Sequence, residues 1–141
     1  MQFFSTGDGL PWKNVTKFAE LYVSRAMSFY NLANLLDEPV LLDRSVIDNI
    51  SGIERMGLPV PVCFSQTLLK YRYAHRVFRV PPWREIFTRD AERQHSYAGA
   101  EHEFYALQQA YKSNRYEVVL IPRLPVHERA DFIEHKLLRF S

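Results

Sequence analysis

The sequence predicts an α/β fold in which short parallel strands alternate with helices that cover both faces of the sheet. Segments with apolar residues at helical spacing alternate with short apolar runs, and each apolar run ends at a proline or an aspartate. The resulting order is helix, strand, helices, strand, helices, strand, helix, which produces parallel strands joined by helical crossovers. Since sheets of this kind usually have about four to six strands, we expect this sheet to lack its first strands.

The first predicted elements are a long amphipathic helix and a short strand. Asn14 suits a helix cap. One arginine and several apolar residues follow it at helical spacing: Phe18, Leu21, Tyr22, Arg25, Phe29, Leu32, Ala33 and Leu36. The helix should end at 37–39, because a residue that precedes proline is pushed out of the helical region. Residues 40–42 are wholly apolar and predict a strand that is covered on both faces.

The later elements follow from the same signals. Residues 45–56 predict a second helix that Gly57 ends, and 58–61 predict a connector to a third helix that ends at Tyr71. The remaining predicted elements are strands at 77–80 and 117–121 and helices at 83–88, 97–111 and 126–140.

Composition limits the classes of function. The chain has 141 residues, of which 47% are hydrophobic, so we predict one domain over 1–141 with a single core. The net charge of +2 argues against a nucleic-acid or membrane partner. Cys63 is the single cysteine, which excludes an intramolecular disulfide and fits a reducing compartment. Because no run reaches the roughly 20 apolar residues of a membrane span, we predict a cytoplasmic protein.

The first candidate site is the pair Asp43 and Arg44, at the carboxyl end of the predicted strand 40–42. Parallel folds bind ligands at this edge, so Asp43 could hold Mg²⁺ through water or accept a proton from a substrate hydroxyl. Arg44 could grip a phosphate or a substrate oxygen. A purely structural alternative is that Asp43 caps the next helix and Arg44 forms a surface ion pair with Asp48.

The second candidate site is an arginine-rich segment with Arg84, Arg89 and Arg93. Its composition suits a loop that closes over phosphates and stabilises charge during transfer. Acidic residues interleave these arginines, so a solvated charged helix is the alternative. The five histidines show no pair at the spacing of helical zinc ligands, and the sequence has no Gly-x-Ser-x-Gly elbow. Neither a zinc site nor a serine hydrolase is therefore supported.

Short motifs in a fixed order carry a family resemblance over nearly the whole chain. They are Gly9-Leu10-Pro11-Trp12, Phe18-Ala19-Glu20, Val40-Leu41-Leu42-Asp43-Arg44 with Asp48, Gly57-Leu58-Pro59-Val60-Pro61, Arg72-Tyr73, Arg76-Val77-Phe78, Pro81-Pro82-Trp83-Arg84-Glu85-Ile86-Phe87, Asp90-Ala91-Glu92-Arg93 and Tyr116-Glu117-Val118-Val119. In this order they resemble the small bacterial AAA-type P-loop ATPases related to NadR-like nucleoside kinases.

The resemblance implies a three-layer P-loop kinase-like sheet, phosphoryl transfer from ATP to a nucleoside or nucleotide, and Mg²⁺ as cofactor. It implies that Asp43 takes the Walker B position and that Arg44 and Asp48 face the phosphoryl acceptor. It also implies that Arg84, Arg89 and Arg93 lie in or beside the lid, the loop that closes over the phosphates. Family members usually carry glycine after the Asp-Arg pair, whereas Ser45 here is closer to the Asp/Glu-Arg-Ser of deoxynucleoside kinases.

The sequence has no Gly-x-x-x-x-Gly-Lys-Ser/Thr loop, although the resembled family begins with one. That loop supplies most of the grip on a triphosphate, so we expect the later, N-terminally incomplete part of such a protein, with no appreciable ATP turnover by itself. Loss of a central strand predicts a marginal fold, direct pairing of 40–42 with 77–80, or a homodimer through exposed sheet edges. The alternative function is a non-enzymatic binding or regulatory module. A nucleic-acid site over 72–93 is the weakest interpretation, because acids interleave the bases.

Overall fold

The computed structural model describes residues 15–86 and 96–138. Within these ranges the helices are α1 (Val15–Ala33), α2 (Val46–Arg55), α3 (Phe64–Lys70), α4 (Tyr97–Ser113) and α5 (Val126–Leu138), and the strands are β1 (Arg76–Arg79) and β2 (Glu117–Leu120). A 3₁₀ turn covers Arg84–Ile86. Tertiary contacts divide the chain into two compact units, Met1–Arg72 and Tyr73–Ser141.

The core of the first unit lies where α1 packs against α2. Its buried apolar side chains come from these two helices and from the start and end of α3: Phe18, Ala19, Val23, Val46, Ile47, Ile50, Ile53, Phe64 and Tyr71. Gly57 follows α2 with φ of +72°, a conformation that glycine adopts without a steric penalty. The predictions for the second and third helices are therefore confirmed.

The predicted strand 40–42 is wrong. The structure gives these residues no regular secondary structure, and Leu41 is 66% exposed. Strands need hydrogen-bonded neighbours, and in the described part of the chain the sheet consists of β1 and β2 alone. The predicted pairing of 40–42 with 77–80 is therefore wrong as well. The first helix also ends earlier than predicted, because turns of the i to i−3 type follow Ala33.

The second unit is built on the parallel pair β1 and β2, in a register that places Arg76 opposite Glu117 and Arg79 opposite Leu120. Helix α4 is the crossover between the two strands and packs on β2. Ser96 caps α4 by accepting a hydrogen bond from the Gly99 amide at 3.0 Å. The predicted parallel strands and the crossover helix are confirmed.

The described residues thus form a mixed structure of helices and a small parallel sheet, as the α/β prediction requires. The three-layer arrangement stays a prediction, because only two strands lie within the described ranges. Of the helices in those ranges, none is both long and apolar enough to cross a membrane.

Candidate functional site

A cleft of about 390 Å³ opens in the first unit, between α1 and the segment that leads into α2. The lining residues are Tyr22, Arg25, Ala26, Phe29, Leu41, Leu42, Asp43, Arg44 and Asn49. Small-molecule sites in proteins are mostly apolar clefts of about 300 to 1,000 Å³ with a few polar groups, and this cleft has that size and character.

One wall of the cleft is a single face of α1. Tyr22, Arg25 and Phe29 lie three and four residues apart, so their side chains share this face. The Arg25 guanidinium carbon lies 5.5 Å from the centre of the Phe29 ring, a cation–π distance. This wall therefore offers two aromatic rings and a positive charge to a ligand.

The opposite side carries the predicted pair Asp43 and Arg44. Both residues are exposed, and neither forms an ion pair or a side-chain hydrogen bond with another described residue. Arg44 has a φ of +73°, a left-handed conformation that costs a non-glycine residue about 1 to 2 kcal/mol. Strained residues of this kind cluster at functional sites, where the surrounding structure holds them in place.

The structure corrects the structural alternative for this pair. Ser45, not Asp43, caps α2: its hydroxyl oxygen accepts from the Ile47 amide at 3.1 Å. The Asp48 carboxylate completes a capping box, since its Oδ2 accepts from the Ser45 amide and hydroxyl, each at 2.9 Å. No ion pair joins Arg44 to Asp48 among the described residues. Asp48 lies outside the lining of the cleft, and its role at an acceptor stays a prediction.

Asn49 is the buried polar residue of the cleft, with 8% of its surface exposed. Its Nδ2 donates to the Tyr22 carbonyl oxygen at 2.8 Å, which fixes the orientation of the amide. Oδ1 is then the amide atom that a ligand in the cleft can use as an acceptor. Sequence reasoning missed this residue and the aromatic wall, and the one available signal was Arg25, a charge within the apolar pattern of α1.

The other predicted site residues do not lie in this cleft. Arg84 belongs to the second unit, where its guanidinium carbon lies 4.2 Å from the centre of the Tyr97 ring. Arg89 and Arg93 lie outside the described residues. Their predicted role in a lid stays a prediction.

The described residues suit Mg²⁺ only as an ion held by one carboxylate together with water and phosphate oxygens. No group of three or more His, Cys, Asp or Glu side chains within the described ranges could hold a metal ion. Mg²⁺ is nevertheless often held by one or two carboxylates together with water and phosphate oxygens, and the exposed Asp43 suits that mode. A triphosphate fits less well, because the sequence holds no glycine-rich loop with a lysine.

Parallel strands joined by a helical crossover are consistent with an AAA-type P-loop domain. The family model described as AAA domain matches residues 1–129, which is most of the chain. The chain therefore belongs to this family. No curated protein and no solved structure matches it.

Proposed function

We propose that this chain forms the phosphoryl-acceptor side of a P-loop protein that resembles nucleoside and nucleotide kinases, with ATP as the phosphoryl donor. The observation that carries the proposal is the cleft, which is lined by an aromatic face of α1 and by a carboxylate and a guanidinium that form no ion pair or side-chain hydrogen bond with another described residue. Membership of the AAA domain family supports a nucleotide-related function for this cleft.

Asp43 and Arg44 have different roles in the proposed reaction. The Asp43 carboxylate accepts the proton of the acceptor hydroxyl as that oxygen attacks the γ-phosphorus of ATP, and the bond from this phosphorus to the bridging oxygen breaks to release ADP. Arg44 orients the acceptor by donating to one of its oxygens, for which its free planar fork is suited. Mg²⁺, when bound, would neutralise phosphate charge, and Asp43 would hold it through water.

The walls of the cleft favour an acceptor with a planar ring, such as a nucleoside. Tyr22, which stacks on Phe18, and Phe29, over which the Arg25 guanidinium lies, line the cleft with aromatic rings that a planar ligand can contact. The Asn49 Oδ1 can accept a hydrogen bond from an amino or imino group at the edge of a base. A ring that binds here would exclude water from the hydroxyl that reacts.

The grip on the ATP triphosphate must come from a polypeptide that carries a Gly-x-x-x-x-Gly-Lys-Ser/Thr loop, because these 141 residues hold none. We therefore expect the chain by itself to show no appreciable ATP turnover. Sustained hydrolysis by the purified chain, above the rate of an Asp43→Ala variant, would refute this part of the proposal. The cytoplasmic location and the lid role of the arginines Arg84, Arg89 and Arg93 belong to the same proposal.

Nucleoside binding by calorimetry tests the cleft directly. We expect saturable binding of at least one nucleoside, and about tenfold weaker binding in Arg44→Ala, because a hydrogen bond to a charged group is lost. Asp43→Asn keeps the shape of the side chain and removes its charge, so it should weaken proton acceptance more than binding.

Two exposed residues of the second unit provide matched controls. Asp131→Asn and Arg115→Ala make the same chemical changes in residues that do not line the cleft, and they should leave nucleoside affinity unchanged. Equal losses in the cleft variants and the controls would contradict the proposal. So would the absence of saturable binding by every natural nucleoside.

A second candidate function is a non-enzymatic binding module, which an exposed apolar surface favours. This 29–41 apolar surface consists of six large side chains that are exposed in the first unit: Phe29, Leu32, Leu35, Leu36, Val40 and Leu41. Groups of exposed large apolar side chains often mark interaction sites, and a second copy of the chain is the partner we propose. A stable dimer without nucleoside binding would favour this function over the first.

A further inference from the structure

Two arginines of the second unit lie at the carboxyl ends of the parallel strands. Arg84 follows β1 after Val80, two prolines and a tryptophan, and Arg123 follows β2 after Ile121 and Pro122. Ligands of parallel α/β folds bind at this edge of the sheet. Neither arginine contributes to the cleft of the first unit.

Both guanidinium groups are oriented by the same small structure, a hydrogen-bonded pair of Pro82 and Tyr97. The Pro82 carbonyl oxygen accepts from the Tyr97 hydroxyl at 3.3 Å and from Arg123 Nη2 at 3.0 Å. The Arg84 guanidinium carbon lies 4.2 Å from the centre of the Tyr97 ring. Two arginines from separate parts of the sequence are thus joined through the same carbonyl oxygen and the same tyrosine.

The contacts leave most of the N–H donors of both arginines available. A cation–π contact uses the face of the Arg84 guanidinium, so its in-plane donors remain free for an anion. Arg123 uses one of its five N–H donors on Pro82. A planar fork with free donors matches phosphate oxygens.

No acidic side chain neutralises this pair among the described residues. The ion pairs there join His75 and Arg76 to Glu117, and His127 to Glu128. Neither Arg84 nor Arg123 forms an ion pair with a described residue, and Glu85 beside Arg84 is exposed. Two arginines that have no acidic partner among the described residues favour the binding of an anion.

We propose that Arg84 and Arg123 form a binding site for a phosphate-type oxyanion at the carboxyl edge of the β1–β2 sheet. The site belongs to the second unit. It shares Arg84 with the proposed lid but shares no residue with the cleft, so anion binding here and nucleoside binding in the cleft can fail independently. Arg84 binds through its free in-plane donors, while Pro82 and Tyr97 hold both arginines in position.

Inorganic pyrophosphate is the probe for this site, and calorimetry with the full chain measures its affinity. We expect saturable binding, and about tenfold weaker binding in Arg123→Gln and in Arg84→Gln, because each variant loses charge-assisted hydrogen bonds. The Nε–H signals of Arg84 and Arg123 should shift on titration in the NMR spectrum. These signals are measured on the unaltered chain, so they detect the site even if the variants fold poorly.

Arg115→Gln is the matched control, because Arg115 is an exposed arginine that precedes β2 and therefore lies at the opposite edge of the sheet. We expect it to bind pyrophosphate like the unaltered chain. Equal weakening in Arg115→Gln and Arg123→Gln would show a general effect of charge and would overturn the proposal. Absence of saturable binding at millimolar pyrophosphate would overturn it too.

Two further titrations identify the source of the anion and distinguish this site from the cleft of the first unit. Tighter binding of ADP than of pyrophosphate, with a gain that Arg123→Gln abolishes, would identify a nucleotide as the ligand of this site, whereas equal binding would identify a free phosphate; both results support the site. In Arg44→Ala, which alters the cleft of the first unit, we expect pyrophosphate affinity to be unchanged. Loss of pyrophosphate binding in that variant would assign the anion to the cleft and overturn this site.

Discussion

Arg44 is the residue at which local stability and function conflict. Its φ of +73° is unfavourable for an arginine, and glycine at that position would avoid the steric cost. The side chain nevertheless lines the cleft beside Asp43, without a protein partner among the described residues. Strained residues cluster at functional sites, which supports the proposal that the Arg44 side chain binds a ligand.

The substitution Arg44→Gly tests this interpretation. We expect the free energy of unfolding to rise by about 1 kcal/mol, because the left-handed strain is removed, while nucleoside binding weakens about tenfold, as in Arg44→Ala. Urea unfolding and calorimetry measure the two effects. Arg115→Gly is the matched control, since Arg115 has a φ of +65° and lies outside the cleft. It should gain similar stability and keep nucleoside binding. A variant Arg44→Gly that binds nucleoside normally would contradict the interpretation.

At the scale of the element, the start of α2 places both Asp43 and Arg44. Ser45 and Asp48 fix the first turn of the helix through the capping box, so the chain enters α2 in one conformation. Asn49, one turn into the helix, is then directed towards the Tyr22 carbonyl. The cap is therefore part of the support of the cleft.

Substitution of the cap separates its structural role from a role in binding. Ser45→Ala should lower the free energy of unfolding by about 1 kcal/mol, whereas Ser45→Gly should cost only a few tenths, because glycine is tolerated at this position. Ser28→Ala, at an exposed serine within α1, is the control and should change stability by less than about 0.5 kcal/mol. Thermal unfolding measures all three.

Asp48→Asn tests the predicted acceptor role of Asp48. If this carboxylate acts only as a cap, the variant should lose stability and keep the affinity for nucleoside that the folded protein has. A loss of affinity without a loss of stability would instead support a direct contact with the acceptor.

The elements were predictable from the sequence to the extent that local pattern decides them. Helical spacing and Gly57 predicted α2 to within a residue at each end, although the cap is Ser45 and not Asp43, and the alternation of elements predicted the parallel pair of strands. Residues 40–42 were misassigned because an apolar run has the same composition in a strand and in an exposed connection. Only the presence of a hydrogen-bonded neighbour distinguishes the two.

The candidate site was predictable only in part, for the same reason. Asp43 and Arg44 stood out because they follow an apolar run, and the structure does place both in the cleft. Tyr22 and Asn49 could not be found, because their position depends on how α1 packs against α2 and not on any local pattern.

At the scale of the whole molecule, the 29–41 apolar surface leaves large apolar side chains in contact with water, which is unfavourable for an isolated chain. Leu35 is 79% exposed and Leu41 is 66% exposed, and both belong to one short stretch after α1. Burial of apolar surface stabilises by about 25 cal/mol per Å², so association through this surface would be favourable. We therefore expect the purified chain to self-associate in a concentration-dependent way.

The double variant Leu35→Gln and Leu41→Gln tests this expectation by sedimentation velocity. It should shift the chain towards the monomer and change the free energy of unfolding of the monomer by no more than about 0.5 kcal/mol per substitution, since neither side chain is buried. Val62→Gln is the control, because Val62 is a 90% exposed apolar residue of the same unit outside the surface. It should leave association unchanged. If the double variant associates as strongly as the unaltered chain, another surface is responsible for association. The edges of the β1–β2 sheet are then the alternative surface to test.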